Sequence, residues 1–136
     1  MPNACLATRE TLNLVHMSEN LVNCDLFRSF RSGIEFDLVV FNPPYVPSAD
    51  IEAHIAGSNT WHGGESGLEV INRFFHQVLN FVNIQKSLIY LICLEQTDLR
   101  NLNGYMILIK KMKHAKVITK KCANEILTVH KFYPIQ

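Results

Sequence analysis

The stretch Phe36-Asp-Leu-Val-Val-Phe-Asn-Pro-Pro-Tyr45 begins as an apolar run and stops at two consecutive prolines. Continuous apolar runs of this length are typical of strands that are buried on both faces of a sheet. Pro43 and Pro44 have no backbone N–H to donate, so we expect the strand to end just before them. Because such a sheet needs helices to cover it, the stretch predicts an α/β fold.

Helix and strand patterns alternate on both sides of this strand. Apolar spacing predicts helices over residues 3–15, 66–82 and 99–113, the second behind a Ser66-Gly-Leu-Glu69 capping box. Further strands are predicted over residues 21–24, 87–94, 115–119 and 126–132. The order α-β-β-α-β-α-β-β predicts a mostly parallel sheet with an antiparallel C-terminal edge, and we expect residues 1–136 to form one domain.

Composition and charge restrict the function. The chain has 136 residues, with 13 Lys and Arg against 12 Asp and Glu, which leaves a net charge of +1. This charge gives no long-range attraction, so nucleic acid is not the favoured partner. The four cysteines form no Cys-x-x-Cys pair, and we expect no metal site. No apolar run approaches the roughly 18 residues of a membrane span and no secretory signal is visible, so we expect no membrane partner and a cytoplasmic, or else nuclear, location.

The carboxyl ends of parallel strands are where such sheets bind ligands. Asp25 follows the predicted strand 21–24, and Asn42 to Tyr45 follow the strand that ends at Phe41. The Asn42 side chain and the Pro43 backbone each offer a carbonyl oxygen, and both can accept from one NH2 group. The two prolines keep these acceptors fixed, while Tyr45 offers a flat face. The tetrapeptide therefore suits a planar NH2 group that attacks an electrophile.

This tetrapeptide resembles the Asn-Pro-Pro-Tyr motif of S-adenosylmethionine-dependent amino-methyltransferases. More narrowly, the chain resembles the HemK-type protein-glutamine methyltransferases of the eukaryotic release-factor branch. That likeness also includes Val22-Asn-Cys-Asp-Leu26, Thr60-Trp-His-Gly-Gly-Glu-Ser-Gly67, Arg73-Phe-Phe75 and Glu125-Ile-Leu-Thr-Val-His-Lys-Phe132. The third and fourth glycines of the chain, Gly63 and Gly64, belong to a Gly-Gly-x-x-Gly loop that precedes a helix in this family.

The resemblance implies a class I (Rossmann-like) methyltransferase sheet and a role for each matched residue. Asp25 would accept from the adenine amine of S-adenosylmethionine, with Leu26 beside it, and Asn42 would also bind the cofactor. Asn42, Pro43, Pro44 and Tyr45 would form the catalytic motif, in which Asn42 and Pro43 hold the substrate glutamine amide and Tyr45 packs on it. Trp61 is a candidate for the substrate loop, although a single tryptophan often serves packing alone.

The implied reaction is N5-methylation of the glutamine in the Gly-Gly-Gln tip of a class 1 peptide chain release factor. The implied partner is a small zinc-binding activator subunit that pairs with an exposed edge of the sheet. Adenine N6-methylation of nucleic acid uses the same motif on another planar NH2 group, and it stays open as an alternative.

One departure from the family concerns the cofactor site. None of the six glycines forms a Gly-x-Gly pair, whereas the family begins its cofactor site with a Gly-x-Gly-x-Gly loop. The chain therefore resembles a methyltransferase domain that lacks its first two strands and this loop, and we expect weak cofactor binding or none. An inactive truncated fragment that only binds partners is the corresponding alternative.

Overall fold

The computed structural model describes residues 2–17, 20–47 and 61–135. The chain forms two compact units, Met1–Ile34 and Glu35–Gln136. The first unit contains helix α1 (Pro2–Leu14). The second contains, in order, β1 (Leu38–Phe41), α2 (Glu69–Val78), β2 (Leu88–Leu94), a 3-10 turn (Leu99–Asn101), α3 (Asn103–Leu108), β3 (Met112–Cys122) and β4 (Glu125–Pro134). None of the helices in the described ranges is long and apolar enough to cross a membrane.

The sheet of the second unit has the strand order β1-β2-β4-β3. β1 runs parallel to β2, with Phe41 opposite Leu91. β4 is antiparallel both to β2 and to β3, and β3 and β4 form a hairpin. The predicted α/β class and its antiparallel C-terminal edge are confirmed. Among the pairings between the described strands, one is parallel and two are antiparallel, and two isolated bridges outside these strands are parallel.

The prediction of a strand at residues 21–24 is wrong. Residues 21–23 take part in no strand pairing in the described parts of the chain, and turns follow from Cys24 to Phe30. A strand needs a neighbour that satisfies its backbone N–H and C=O groups, and its sequence alone cannot supply one. The apolar residues here are therefore insufficient to form a strand.

The three predicted helices are present; α1 has the predicted length, whereas the other two are shorter. The helix predicted over 66–82 spans Glu69–Val78, and the one predicted over 99–113 is divided into the 3-10 turn and α3. Leu102 separates these two pieces because its backbone is extended, with φ −97° and ψ 120°. β3 then begins at Met112, so it takes in residues that the apolar spacing assigned to the helix.

The core lies between one face of the sheet and the two helices α2 and α3. Alternate residues of β2 are buried on this face, namely Ile89, Leu91 and Cys93. Helix α2 buries Ile71, Phe74, Phe75 and Val78. The Phe75 ring contacts Tyr105 of α3 and Phe132 of β4, at centroid distances of 5.9 and 5.6 Å. These contacts fix the sheet whose carboxyl edge carries the candidate site.

Candidate functional site

The segment Asn42–Tyr45 leaves the sheet at the carboxyl end of β1. Phe41, the last residue of the strand, stacks on Phe74 of α2 at a centroid distance of 4.4 Å. Directly after it, Asn42 is exposed and Pro43 is buried, while Tyr45 is half-buried. The strand end is therefore anchored in the core, and the polar side chain of Asn42 is presented to the outside.

The chain returns beside this segment at Trp61. The Val46 N–H donates to the carbonyl of Trp61 at 3.0 Å, and the Gly63 N–H donates to the carbonyl of Val46 at 2.9 Å. These two bonds make a short parallel bridge between Val46 and His62. The bridge explains how Trp61, sixteen positions beyond Tyr45 in number, comes to lie at the same site.

Two glycines let the backbone approach the tetrapeptide closely. A Cβ on Gly63 would lie 2.9 Å from the Pro44 carbonyl oxygen, and one on Gly67 would lie 2.6 Å from the Tyr45 carbonyl oxygen. Gly67 also has a φ of +76°, a conformation that disfavours other residues. The Gly-Gly-x-x-Gly loop therefore serves to pack the backbone against Pro44 and Tyr45.

A pocket of about 130 Å³ opens at this edge of the sheet. It is lined by Asn42, Pro43, Tyr45, Val46, Trp61 and Glu125. The volume is well below the roughly 300–1,000 Å³ of pockets for drug-sized ligands, so the pocket suits the end of a single side chain. The pocket thus brings together four of the predicted site residues: Asn42, Pro43, Tyr45 and Trp61. Pro44 does not line it, and its carbonyl oxygen lies close to Gly63.

Tyr45 is neutral in this pocket. Burial, followed by the negative charges that Glu125 and Cys122 can carry, raises the pKa of the Tyr45 hydroxyl above its ordinary value of 10.0. At neutral pH the ring therefore offers an apolar face and a hydroxyl that can both donate and accept. The Tyr45 side chain carries no charge at neutral pH, so it contacts a neutral amide through packing and hydrogen bonding.

Glu125 is a pocket residue that the sequence reasoning missed. It is the first residue of β4, and Leu127 of the same strand pairs with Leu94 at the end of β2. Because β4 is antiparallel to β2, the start of β4 lies at the edge where β1 and β2 end. The predicted C-terminal hairpin does not by itself indicate this, because the place of its turn follows from the strand order of the sheet.

Asp25 and Leu26 lie in the first unit, in the turns after α1. The Asp25 carboxylate is 43% exposed, and its Oδ2 lies 3.9 Å from Nη1 of Arg28. Leu26 has a φ of +52°, and its carbonyl accepts from the Cys24 thiol at 3.0 Å. An ionised carboxylate accepts hydrogen bonds from N–H groups through both of its oxygens.

In the part of the chain that the structure describes, no group of three or more His, Cys, Asp or Glu side chains is placed to hold a metal ion. The pocket therefore offers oxygen acceptors, one carboxylate and two aromatic rings to a ligand.

Comparison with known proteins finds relatives along nearly the whole chain. The chain is 31% identical over 137 residues to methyltransferase HEMK2 of Homo sapiens, covering 96% of this chain and 62% of that protein. It is 24% identical over 149 residues to the eRF1 methyltransferase catalytic subunit mtq2 of Schizosaccharomyces pombe, covering 98% and 61%. The chain thus spans about three fifths of the length of these curated relatives. No family model matches it.

A solved structure has the same fold. The E. cuniculi Mtq2-Trm112 complex, described as responsible for the methylation of the eRF1 translation termination factor, matches with a TM-score of 0.66 and 28% identity. The match covers 91% of this chain and 69% of that one. The predicted resemblance is therefore confirmed by both sequence and fold.

Proposed function

From the premise that the chain is a relative of the HemK-type methyltransferases, we propose that it is part of an S-adenosylmethionine-dependent protein-glutamine N5-methyltransferase. Its substrate is the glutamine of the Gly-Gly-Gln motif in a class 1 peptide chain release factor. In this proposal residues 1–136 form the larger, C-terminal part of a class I methyltransferase domain. The protein acts in the cytoplasm, where translation ends.

The observation that carries the proposal is the pocket at the carboxyl end of β1. Asn42 and Pro43 line it together, so a side-chain carbonyl and a backbone carbonyl are both available to one NH2 group. Tyr45 and Trp61 supply flat surfaces on which a planar amide can pack. Two fixed acceptors orient the amide nitrogen and favour the positive charge that develops on it during methyl transfer.

The cofactor is S-adenosylmethionine, which supplies an electrophilic methyl group when bound. The residues present fit its adenine end, because the exposed Asp25 carboxylate can accept from the exocyclic amine, with Leu26 beside it. The glycine-rich turn that would hold the rest of the cofactor has no counterpart among the six glycines of this chain. We therefore assign only the adenine contact to Asp25 and Leu26, and a separate cofactor contact to Asn42.

The partner in this proposal is a small zinc-binding activator subunit. The solved relative is a complex of Mtq2 with Trm112, and we extend this mode of assembly to the present protein. An exposed strand edge supports pairing with another chain, because among the described residues β1 pairs with β2 alone. Leu38 and Val40 of β1 are 55% and 66% exposed. An activator or a further part of the domain would cover these apolar side chains.

A second candidate function is partner binding without catalysis. The absence of a Gly-x-Gly pair from the chain favours it, since a chain that cannot hold the cofactor keeps only its binding surfaces. Adenine in nucleic acid is the less favoured substrate for the enzyme, because a net charge of +1 gives no basic footprint.

The test is a methyl-transfer assay with a labelled donor, run on this chain and on the longest natural form of the protein that contains it. A Gly-Gly-Gln release factor and an adenine-containing DNA are offered together. We expect label in the release factor with the longer form and little or none with the 136-residue chain. Label in the DNA alone would contradict the proposal, and no label in either substrate with the longer form would favour partner binding.

A further inference from the structure

Glu125 occupies a defined place at the pocket. It opens β4 directly after a tight turn in which Ala123 has a φ of +52°, and it pairs with Cys122 across the hairpin. The same side chain lines the pocket with Asn42, Pro43 and Tyr45. A carboxylate is therefore held at the site by the register of a strand rather than by a free loop.

The charge of Glu125 is not used elsewhere. The side chain is exposed, and among the described residues it makes no ion pair. Its negative charge is one of the causes that raise the pKa of Tyr45, after burial, which agrees with its position beside that ring. The pocket thus contains one carboxylate that is free to interact with a bound group.

Methylation of an amide nitrogen requires stabilisation of a positive charge and removal of a proton. The two carbonyl acceptors supply only part of this. The nitrogen starts neutral, becomes positively charged as it takes the methyl group, and must then lose a proton. Asn42 and Pro43 offer dipoles, whereas a full negative charge nearby interacts more strongly with a developing cation. A carboxylate can also take the proton, which an amide carbonyl accepts poorly.

We propose that Glu125 is a further catalytic residue of this site, whose carboxylate stabilises the positive charge on the substrate nitrogen and accepts its proton. This inference rests on the proposed function. In the step, a bond forms between the nitrogen and the methyl carbon, and the carbon–sulfur bond breaks with its electron pair left on sulfur. One N–H bond then breaks, its electron pair stays on nitrogen, and its proton goes to a carboxylate oxygen of Glu125.

Two short peptides separate the charge effect from ordinary binding. One contains Gly-Gly-Gln, and the other contains Gly-Gly-ornithine, in which an ammonium group stands at the position of the glutamine amide nitrogen. The ornithine side chain has the same reach, so it imitates the positive charge of the methylated nitrogen. Both peptides are titrated into the 136-residue chain, and binding is followed by the fluorescence of Trp61, the only tryptophan in the sequence, which lines the pocket.

We expect the ornithine peptide to bind roughly fivefold more tightly than the glutamine peptide. This is the gain in affinity that attraction between two opposite unit charges about 4 Å apart in water provides. In Glu125→Gln this preference decreases to the smaller value that the Asn42 and Pro43 carbonyl oxygens provide without a charge. Glu125→Asp retains part of the preference. The matched control is Glu95→Gln. It removes a carboxylate that directly follows β2 and does not line this pocket, and it leaves the preference intact.

The outcomes distinguish this inference from the proposed function. If the glutamine peptide binds and the ornithine peptide binds no better, or if Glu125→Gln keeps the full preference, the role of Glu125 is refuted and the amide pocket stands. If neither peptide alters the fluorescence of Trp61, both the amide pocket and the role of Glu125 are refuted. Circular dichroism of each variant confirms that the hairpin is intact.

Discussion

Nε2 of His114 lies 2.8 Å from Nδ1 of His130, and the two ring planes differ by only 11°. The direction of this hydrogen bond follows from its surroundings. The Thr128 hydroxyl donates to the Cys93 carbonyl at 3.2 Å, so its oxygen accepts from Nε2 of His130 at 2.9 Å. Burial is the main cause that lowers the pKa of both rings, so we assign both imidazoles as neutral. In that state Nδ1 of His130 accepts from His114, and Tyr105 donates to Nδ1 of His114 at 3.0 Å.

This neutral pair makes stability depend on pH. Burial, together with His114 and Lys116, lowers the pKa of His130 from 6.5 to about 4. As the pH falls, the unfolded chain binds the proton first, so the free energy of unfolding decreases. We expect full stability above about pH 6.5 and a progressive loss between about pH 6.5 and 4.

The measurement is the urea midpoint of unfolding, taken above and within this interval for the wild type and two variants. His130→Gln should lose most of this pH dependence because it removes the titrating ring. His76→Gln, which replaces an exposed histidine of α2, should keep it. An unchanged pH dependence in His130→Gln would contradict the assignment.

Replacing Asn42 should remove activity without affecting the fold. Asn42 is exposed, and its side-chain carbonyl is one of the two acceptors assigned to the substrate amide. In the longest natural form of the protein, Asn42→Ala should lower kcat/KM for the release factor by about 100-fold or more, the usual effect of losing one fixed polar group. Asn101→Ala, an exposed asparagine outside the pocket, should retain activity. Equal rates for the two variants would argue against the role of Asn42.

Gly67 supports the tetrapeptide, and its replacement should damage the pocket. An alanine there would have to adopt the positive φ of +76°. Its Cβ would also lie 2.6 Å from the Tyr45 carbonyl oxygen, which is a steric clash. Gly33→Ala is the matched control, since Gly33 has a φ of +87° with nothing within 4 Å of an added Cβ. Both should lose about 1 kcal/mol of unfolding free energy from the backbone strain. Only Gly67→Ala should lose more than this and weaken peptide binding as measured by Trp61 fluorescence.

Gly104 is needed where α3 meets α2. A Cβ at this position would lie 2.7 Å from the Cβ of Phe75, in the centre of the core. Overpacking of this kind costs about 1–3 kcal/mol, more than the roughly 1 kcal/mol that alanine gains over glycine in a helix. We therefore expect Gly104→Ala to lower the urea midpoint. Asn103→Ala, at the exposed start of α3, should not, and equal midpoints would refute the clash.

The features that the sequence predicts well are those that depend on residues close together in the sequence. The strand ending at Phe41, the strand 88–94 and the C-terminal hairpin have patterns that decide their structure locally. The strand predicted at 21–24 fails because pairing depends on a neighbour that no local pattern reveals. Likewise, Asn42 to Tyr45 could be identified from their motif.

Glu125 could not be identified in that way, because its position follows from the strand order of the sheet. It is 80 positions from Tyr45 in the numbering and reaches the pocket only through the antiparallel pairing of β4 with β2. The same holds for the pair of His114 and His130, which comes together only when β3 and β4 align. Such contacts can be predicted only once the strand order of the sheet is known.

The hydrogen bonding of Asn42 and Pro43 to a planar amide is tested most directly by NMR of a Gly-Gly-Gln peptide whose glutamine side chain carries 15N. When this peptide is added to the chain, we predict that both side-chain N–H protons shift and exchange more slowly with water, because Asn42 and Pro43 accept from them. In Asn42→Ala one of the two shifts should be lost. A bound peptide whose side-chain N–H protons do not move, or move equally in Asn42→Ala, would contradict the account.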